Sequence, residues 1–180
     1  MPNKLVIGPK ARAAGVTVSM VAVAAAIAAP LITAGEGRRY TAYDDFAPWV
    51  KVTKATKIKG TLTVCDGHTG PDIIIGKVYT DAECDALRDD DMIVAQNAIL
   101  RCTPKLYHSK YAAGATIDFA FNVGGANYCT STMARKFEAN DIAGGCKEYV
   151  KWTLSKGKFM QGLLDHRRKP EQETCEKALS

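Results

Sequence analysis

Residues 1–35 contain no aspartate or glutamate, and from Ala13 to Gly35 there is no charge of either sign. The same stretch lacks cysteine, so disulfide exchange cannot control it. Histidine is scarce: only His68, His108 and His166 occur, and the six cysteines show neither CxxC spacing nor the histidine pairs of a zinc site. No metal and no cofactor is therefore expected. Of the net charge of +5, Lys4, Lys10 and Arg12 supply three, leaving +2 for the rest, too little to argue nucleic-acid binding. There are no repeats and, beyond the alanine-rich N-terminal segment, no low-complexity tract. What remains is an ordinary globular composition, 47% apolar and 24% charged, in a chain long enough to bury one real core.

The uncharged run has 23 residues. As one helix it would extend about 34 Å, enough for a hydrocarbon core of about 30 Å. The basic residues ahead of it orient the N-terminus toward the cytoplasm and the body outward. Nine alanines, Gly15, Thr17, Ser19 and Thr33 make it a poor permanent anchor, and Pro30 adds a kink. Ala26-Ile27-Ala28 fits a signal-peptidase site, yet cleavage there would leave Glu36 near a frayed end. The reading preferred is an uncleaved, weakly inserting segment over 1–35, ahead of a body over 36–180, that exports the protein and later leaves the bilayer.

All six cysteines lie in the body, at 65, 84, 102, 129, 146 and 175. Behind an export segment an even count implies three disulfides, each stabilising by about 3 kcal/mol. Fifteen pairings are possible; the unnested set, Cys65–Cys84, Cys102–Cys129 and Cys146–Cys175, is expected. Residues 40–79 read as a small antiparallel sheet, with alternation at Val50–Lys54 and Thr56–Lys59 and a strand at Thr61–Val64. Thr80 and Glu83 form a capping box for a helix over 81–100. Tyr107 to Tyr111 reads as a polar connection, and 113–123 as a buried helix ended by Gly124-Gly125. Ser131 caps the next helix, Asp141 one running through Tyr149 and Trp152, and a last helix covers 159–179. The fold class expected is α+β: a small β lobe beside a larger helical lobe, with a cleft between them and Glu36 at the hinge. Lys147, Lys151, Lys156, Lys158, Arg167, Arg168 and Lys169 form a basic cluster, read either as a solvated helical face or as attraction to an acidic polymer such as cell wall.

Glu36 and Asp45 have eight residues between them. Cleaving an acetal needs one carboxyl that delivers a proton and one that stays ionised and activates water. Glu36, at the end of the apolar segment, suits the acid role, and Asp45, in a polar turn, the base role. Thr63 could hold the water as donor and acceptor. Asp44 competes with Asp45 for its role. His68 is read as a structural partner, and Cys65 as a disulfide half.

Glu36-Gly37-Arg38, Ala42-Tyr43-Asp44-Asp45 and Thr63-Val64-Cys65-Asp66-Gly67-His68-Thr69-Gly70 resemble the phage-type lysozymes of glycoside hydrolase family 24. Phe119-Ala120-Phe121-Asn122-Val123-Gly124, Ser131-Thr132-Met133, Arg135-Lys136-Phe137 and Trp152 resemble the same family's core. The segment ahead of Glu36 resembles the signal-arrest-release endolysins of the phage 21 type, whose cysteines support the 65–84 and 146–175 bridges. The resemblance implies a monomeric N-acetylmuramidase that cuts the β-1,4 bond of peptidoglycan to lyse the host. It would be tethered on the outer face of the inner membrane through residues 13–35 and freed into the periplasm on depolarisation. The family triad maps onto Glu36, Asp45 and Thr63. Between Asp45 and Thr63 stand 17 residues where relatives have a shorter turn. The extra part, around 46–60, alternates like an extended hairpin and carries Lys51, Lys54, Lys57 and Lys59, which could meet peptide-stem carboxylates or keep an exposed edge soluble. Rival classes are a lytic transglycosylase of the same fold, and a non-enzymatic wall-binding or membrane-lesion protein that should not depend on Glu36.

Overall fold

A computed structural model describes residues 2–155 and 157–180; Lys156 of the basic cluster lies outside the described residues. The chain divides into two compact units, residues 1–35 with 92–180, and residues 36–91.

The first unit is helical. Helix α1 (Pro9–Ala13) and α2 (Val18–Glu36) are separated by a turn at Ala14-Gly15, where Gly15 N–H returns to the Arg12 carbonyl at 2.9 Å. The uncharged run is therefore not one 23-residue helix in this state. Among the described residues α2 alone is long and apolar enough to cross a membrane, and it runs through Pro30. Here it behaves as a core helix: Val21, Ala24, Ala28 and Ile32, spaced three or four apart, are buried with α4 (Lys110–Val123) in one apolar cluster. Gly114 of α4 makes this close approach possible, because a Cβ there would lie 2.6 Å from Ile27 Cγ2. Ahead of α1 the chain is also docked. Val6 N–H donates to Asn97 Oδ1 (2.8 Å), Asn97 Nδ2 donates to the Lys4 carbonyl (2.8 Å), and Lys10 pairs with Glu138 (3.0 Å).

Helix α3 (Asp81–Cys102) begins in the second unit and ends in the first, opened by the expected capping box: Glu83 N–H to Thr80 Oγ1 and Thr80 N–H to Glu83 Oε2. Of the stretch Tyr107 to Tyr111 read as a polar connection, Tyr107 and His108 close a 3₁₀ turn (Pro104–His108) that puts Leu106 and Tyr107 in the core, and Lys110 and Tyr111 already open α4. After α5 (Gly125–Thr130), α6 (Thr132–Glu138) is capped by Ser131 and α7 (Ile142–Cys146) by Asp141, as expected. The last of these is shorter than its pattern suggested. It yields to a separate 3₁₀ turn at Tyr149–Lys151, which leaves Tyr149 and Trp152 edge-on to Phe119. The paired strands β4 (Leu154–Ser155) and β5 (Lys158–Phe159) precede the last helical stretch and take only Phe159 from its expected span; the rest runs through α8 (Gln161–Leu163), a π turn at Leu164–Arg168 and α9 (Lys169–Glu176). Arg167 and Arg168 do not belong to the solvated basic cluster expected here, although its Lys147, Lys151, Lys158 and Lys169 are exposed. Both are buried, Arg167 on Asp118 (2.6 Å) and Arg168 on Glu171 (2.8 Å) and Asn122 (2.5 Å). Burial and the neighbouring Asp118 carboxylate push Glu171 well above the usual carboxylate range.

The second unit holds a three-stranded antiparallel sheet in the order β1 (Arg39–Asp44), β2 (Leu62–Cys65), β3 (His68–Thr69). Its apolar cluster is small: Val64, Cys65, Tyr79 and Cys84, with Ile73 and Leu87 packed against them. The expected hairpin over 46–60 does not form; no strand occurs there. The segment is an irregular loop pinned at its ends, because the carboxylate of Asp44 takes the Lys59 and Gly60 N–H groups that a ladder would have used. All three expected disulfides are present, Cys65–Cys84 in this unit and Cys102–Cys129 and Cys146–Cys175 in the other.

Candidate active site

Glu36, Asp45 and Thr63 all belong to the second unit. Glu36 is the last residue of α2, and its carboxyl lies against the β2–β3 turn at Gly67. A Cβ on Gly67 would sit 3.2 Å from Glu36 Oε2, and Gly67 has φ +87°, a backbone conformation that favours glycine. That turn is held by a residue whose role was not apparent beforehand. Arg38 reaches Asp66 through Nε (3.0 Å) and Nη2 (2.6 Å), and reaches Asp81 (2.9 Å) and Asp85 (2.6 Å) on the first turns of α3. One bidentate fork thus ties the residues after Glu36 to the turn that flanks it. The signal available in sequence was the i, i+4 pair Asp81 and Asp85, which puts two acids on one helix face.

The structure separates Asp44 from Asp45. Asp44 is buried and accepts three backbone N–H bonds, from Phe46 (3.1 Å), Lys59 (2.7 Å) and Gly60 (2.9 Å), led by Lys59 in holding its carboxyl below the usual range. It is a structural anchor. Asp45 is exposed; its N–H donates to the Thr61 carbonyl (3.0 Å), and its Oδ1 accepts from Thr61 N–H (2.6 Å). The hydroxyl of Thr63 donates to the same Thr61 carbonyl at 3.1 Å. Thr61, which sequence reasoning passed over, therefore joins the two candidates. With its proton committed to backbone, Thr63 can only accept from a water, not donate as well.

Tyr43 stands opposite Thr63 in the β1–β2 register. Burial pushes its phenol upward; Arg39 opposes this, and the negative charges of Glu36 and Asp45 add to it, so the ring lies within electrostatic reach of both acids. His68 is nearly buried between Asp91 (2.8 Å, Nδ1) and Asp72 (3.2 Å, Nε2), and Asp91 leads in raising its proton affinity. It is a structural partner, as read from sequence, and Cys65 is a disulfide half. In the first unit Arg167 packs on the end of α2, where a Cβ at Gly35 would lie 3.1 Å from its Nη1; a cation there suits the carbonyl end of a helix. Among the described residues no group of three or more His, Cys, Asp or Glu is placed to hold a metal.

The family described as Phage lysozyme matches residues 33–171. The SAR-endolysin of Bacteriophage PS119 is 40% identical over 158 residues, covering 84% of this chain and 86% of that protein. The SAR-endolysin of Enterobacteria phage P21 is 39% identical over 152 residues, covering 84% and 87%. Among solved structures, the active form of the P1 phage endolysin aligns at a TM-score of 0.69 with 19% identity, covering 90% of this chain and 94% of that one, a likeness of fold.

Proposed function

From the premise that this chain belongs to the phage lysozyme family and is an endolysin that hydrolyses peptidoglycan, we propose that Glu36, Asp45 and Thr63 cut the β-1,4 bond between N-acetylmuramic acid and N-acetylglucosamine. Glu36 gives its proton to the glycosidic oxygen as that bond breaks. A water donates a hydrogen bond to Thr63, loses a proton to Asp45 and adds its oxygen to the anomeric carbon. The observation that carries this reading is the linkage of Asp45 and Thr63 through Thr61, with Glu36 set against Gly67.

The N-terminal segment exports the enzyme and holds it on the periplasmic face of the inner membrane until release. The packing of α2 supports this reading, because its alanines suit a tight helix contact better than a stable anchor. Once out of lipid, the helix takes up the core position described above and brings Glu36 to the start of the second unit. The released enzyme acts in the periplasm as a monomer.

The test is turbidity of outer-membrane-permeabilised Gram-negative cells. Wild type clears them and Glu36→Gln is slower by about a thousandfold or more. Products with reducing ends identify hydrolysis; 1,6-anhydro ends would identify a transglycosylase. Clearing by both forms at equal rates would leave membrane damage or wall binding as the better account.

A further inference from the structure

The loop over 46–60 and strand β1 enclose a groove of about 710 Å³ that the catalytic proposal does not use. Buried Ala42 and Val52 form its floor. Trp49 stands on one side, 82% exposed, an unusual position for a large aromatic residue that packs against no core. Tyr40 and Val78, also exposed, line the groove with it. The loop is anchored at both ends. Arg39 Nη1 holds the Pro48 carbonyl at 2.7 Å, and Asp44 holds Lys59 and Gly60. It carries Lys51, Lys54, Lys57 and Lys59 and no acidic residue. The groove adjoins the candidate site through Tyr43, which lines it and stands opposite Thr63 in the β1–β2 register.

We propose that this groove binds the glycan strand beyond the bond being cut, with a sugar ring on the face of Trp49 and the carboxylates of its peptide stem on Lys51 and Lys54. The proposal rests on the peptidoglycan-hydrolase reading above. A sugar ring presents C–H groups to an aromatic face and hydroxyls at its rim, which is what an exposed indole beside polar groups accommodates. The acid-free, lysine-rich loop complements the stem carboxylates. The concave shape and the junction at Tyr43 favour an extended strand over a flat lipid surface.

The experiment measures sedimentation of full-length Glu36→Gln with isolated sacculi, comparing it with Glu36→Gln/Trp49→Ala and Glu36→Gln/Lys51→Ala/Lys54→Ala. Thermal melting shows that each remains folded. The tryptophan change is expected to weaken binding about tenfold, and the double lysine change about fivefold. On sacculi whose stems an amidase has removed, the lysine effect disappears and the tryptophan effect stays. Equal binding by all three forms overturns the proposal. So does a loss confined to anionic phospholipid vesicles, which would make the patch a membrane contact. The two readings fail separately: Glu36→Gln that still clears cells overturns the catalytic assignment, whereas normal sacculus binding without Trp49 overturns the groove.

Discussion

The two units are held by different physics. Residues 1–35 with 92–180 have a broad apolar core with Phe119 edge-on to Tyr128, Tyr149 and Trp152, and even their buried charges are neutralised inside, as in Asp118–Arg167. Residues 36–91 have six apolar side chains in their cluster. There the chain is held by one disulfide, by Arg38 spread over three aspartates, and by Asp44 and His68 in their own hydrogen-bond sets. A small unit cannot bury enough apolar area to order itself, so covalent and charged ties take over. The candidate catalytic residues lie in the unit held this way, where polar ties place a carboxylate more definitely than apolar packing would.

The sharpest way to break this contrast is Asp66→Ala. Its side chain is fully buried and its loss takes away Arg38's bidentate partner, leaving only the more exposed Asp81 and Asp85, so the variant should lose about 3 kcal/mol. Hydrogen exchange should locate the loss within residues 36–91 and leave α4 protected; uniform loss across the chain would mean that the units do not differ as described. The counterpart in the apolar unit is Gly114→Val, which overpacks the Ile27 contact and should destabilise by about 2 kcal/mol in thermal unfolding. Exchange should accelerate in α2 and α4 rather than in the sheet. The smallest effect is that of pH. Asp91 raises the affinity of His68 for its proton, so the stability it contributes is full below about pH 6.5 and is lost as pH rises through the higher folded value. Asp44, Asp81 and Asp85 are held low, so their contribution is present above about pH 3.9 and is lost as pH falls through their folded values. The second unit should therefore be most resistant to exchange between those limits. Changing His68 to Gln should remove the upper limb and leave the lower one.

Local signals were the legible ones. Thr80 with Glu83, Ser131 and Asp141 act within a few residues of themselves, and each is found as a cap. The three disulfides match the unnested set among the fifteen possible pairings, whereas Glu36, Asp45 and Thr63 rest on the family resemblance of their motifs. Residues 46–60 misled because alternating valine and lysine describes a groove wall as well as a strand, and only the competition by Asp44 for the backbone decides between them. Arg167 misled because its partner, Asp118, is 49 residues away, and a cation in sequence carries no mark of what will bury it. Thr61 acts through its backbone, to which its side chain gives no clue.

The docking of residues 4–10 on Asn97 and Glu138 has an electrical consequence. If α2 crosses the membrane before release, Lys4, Lys10 and Arg12 begin on the cytoplasmic side, yet in the folded form they belong to the same unit as Asn97 and Glu138. Release then carries three positive charges outward against the membrane potential, work of about 2.3 kcal/mol per charge per 100 mV, or about 7 kcal/mol per 100 mV in all. On that reading an energised host would supply the restraint itself, and the collapse of its potential would be the clock that sets the enzyme free.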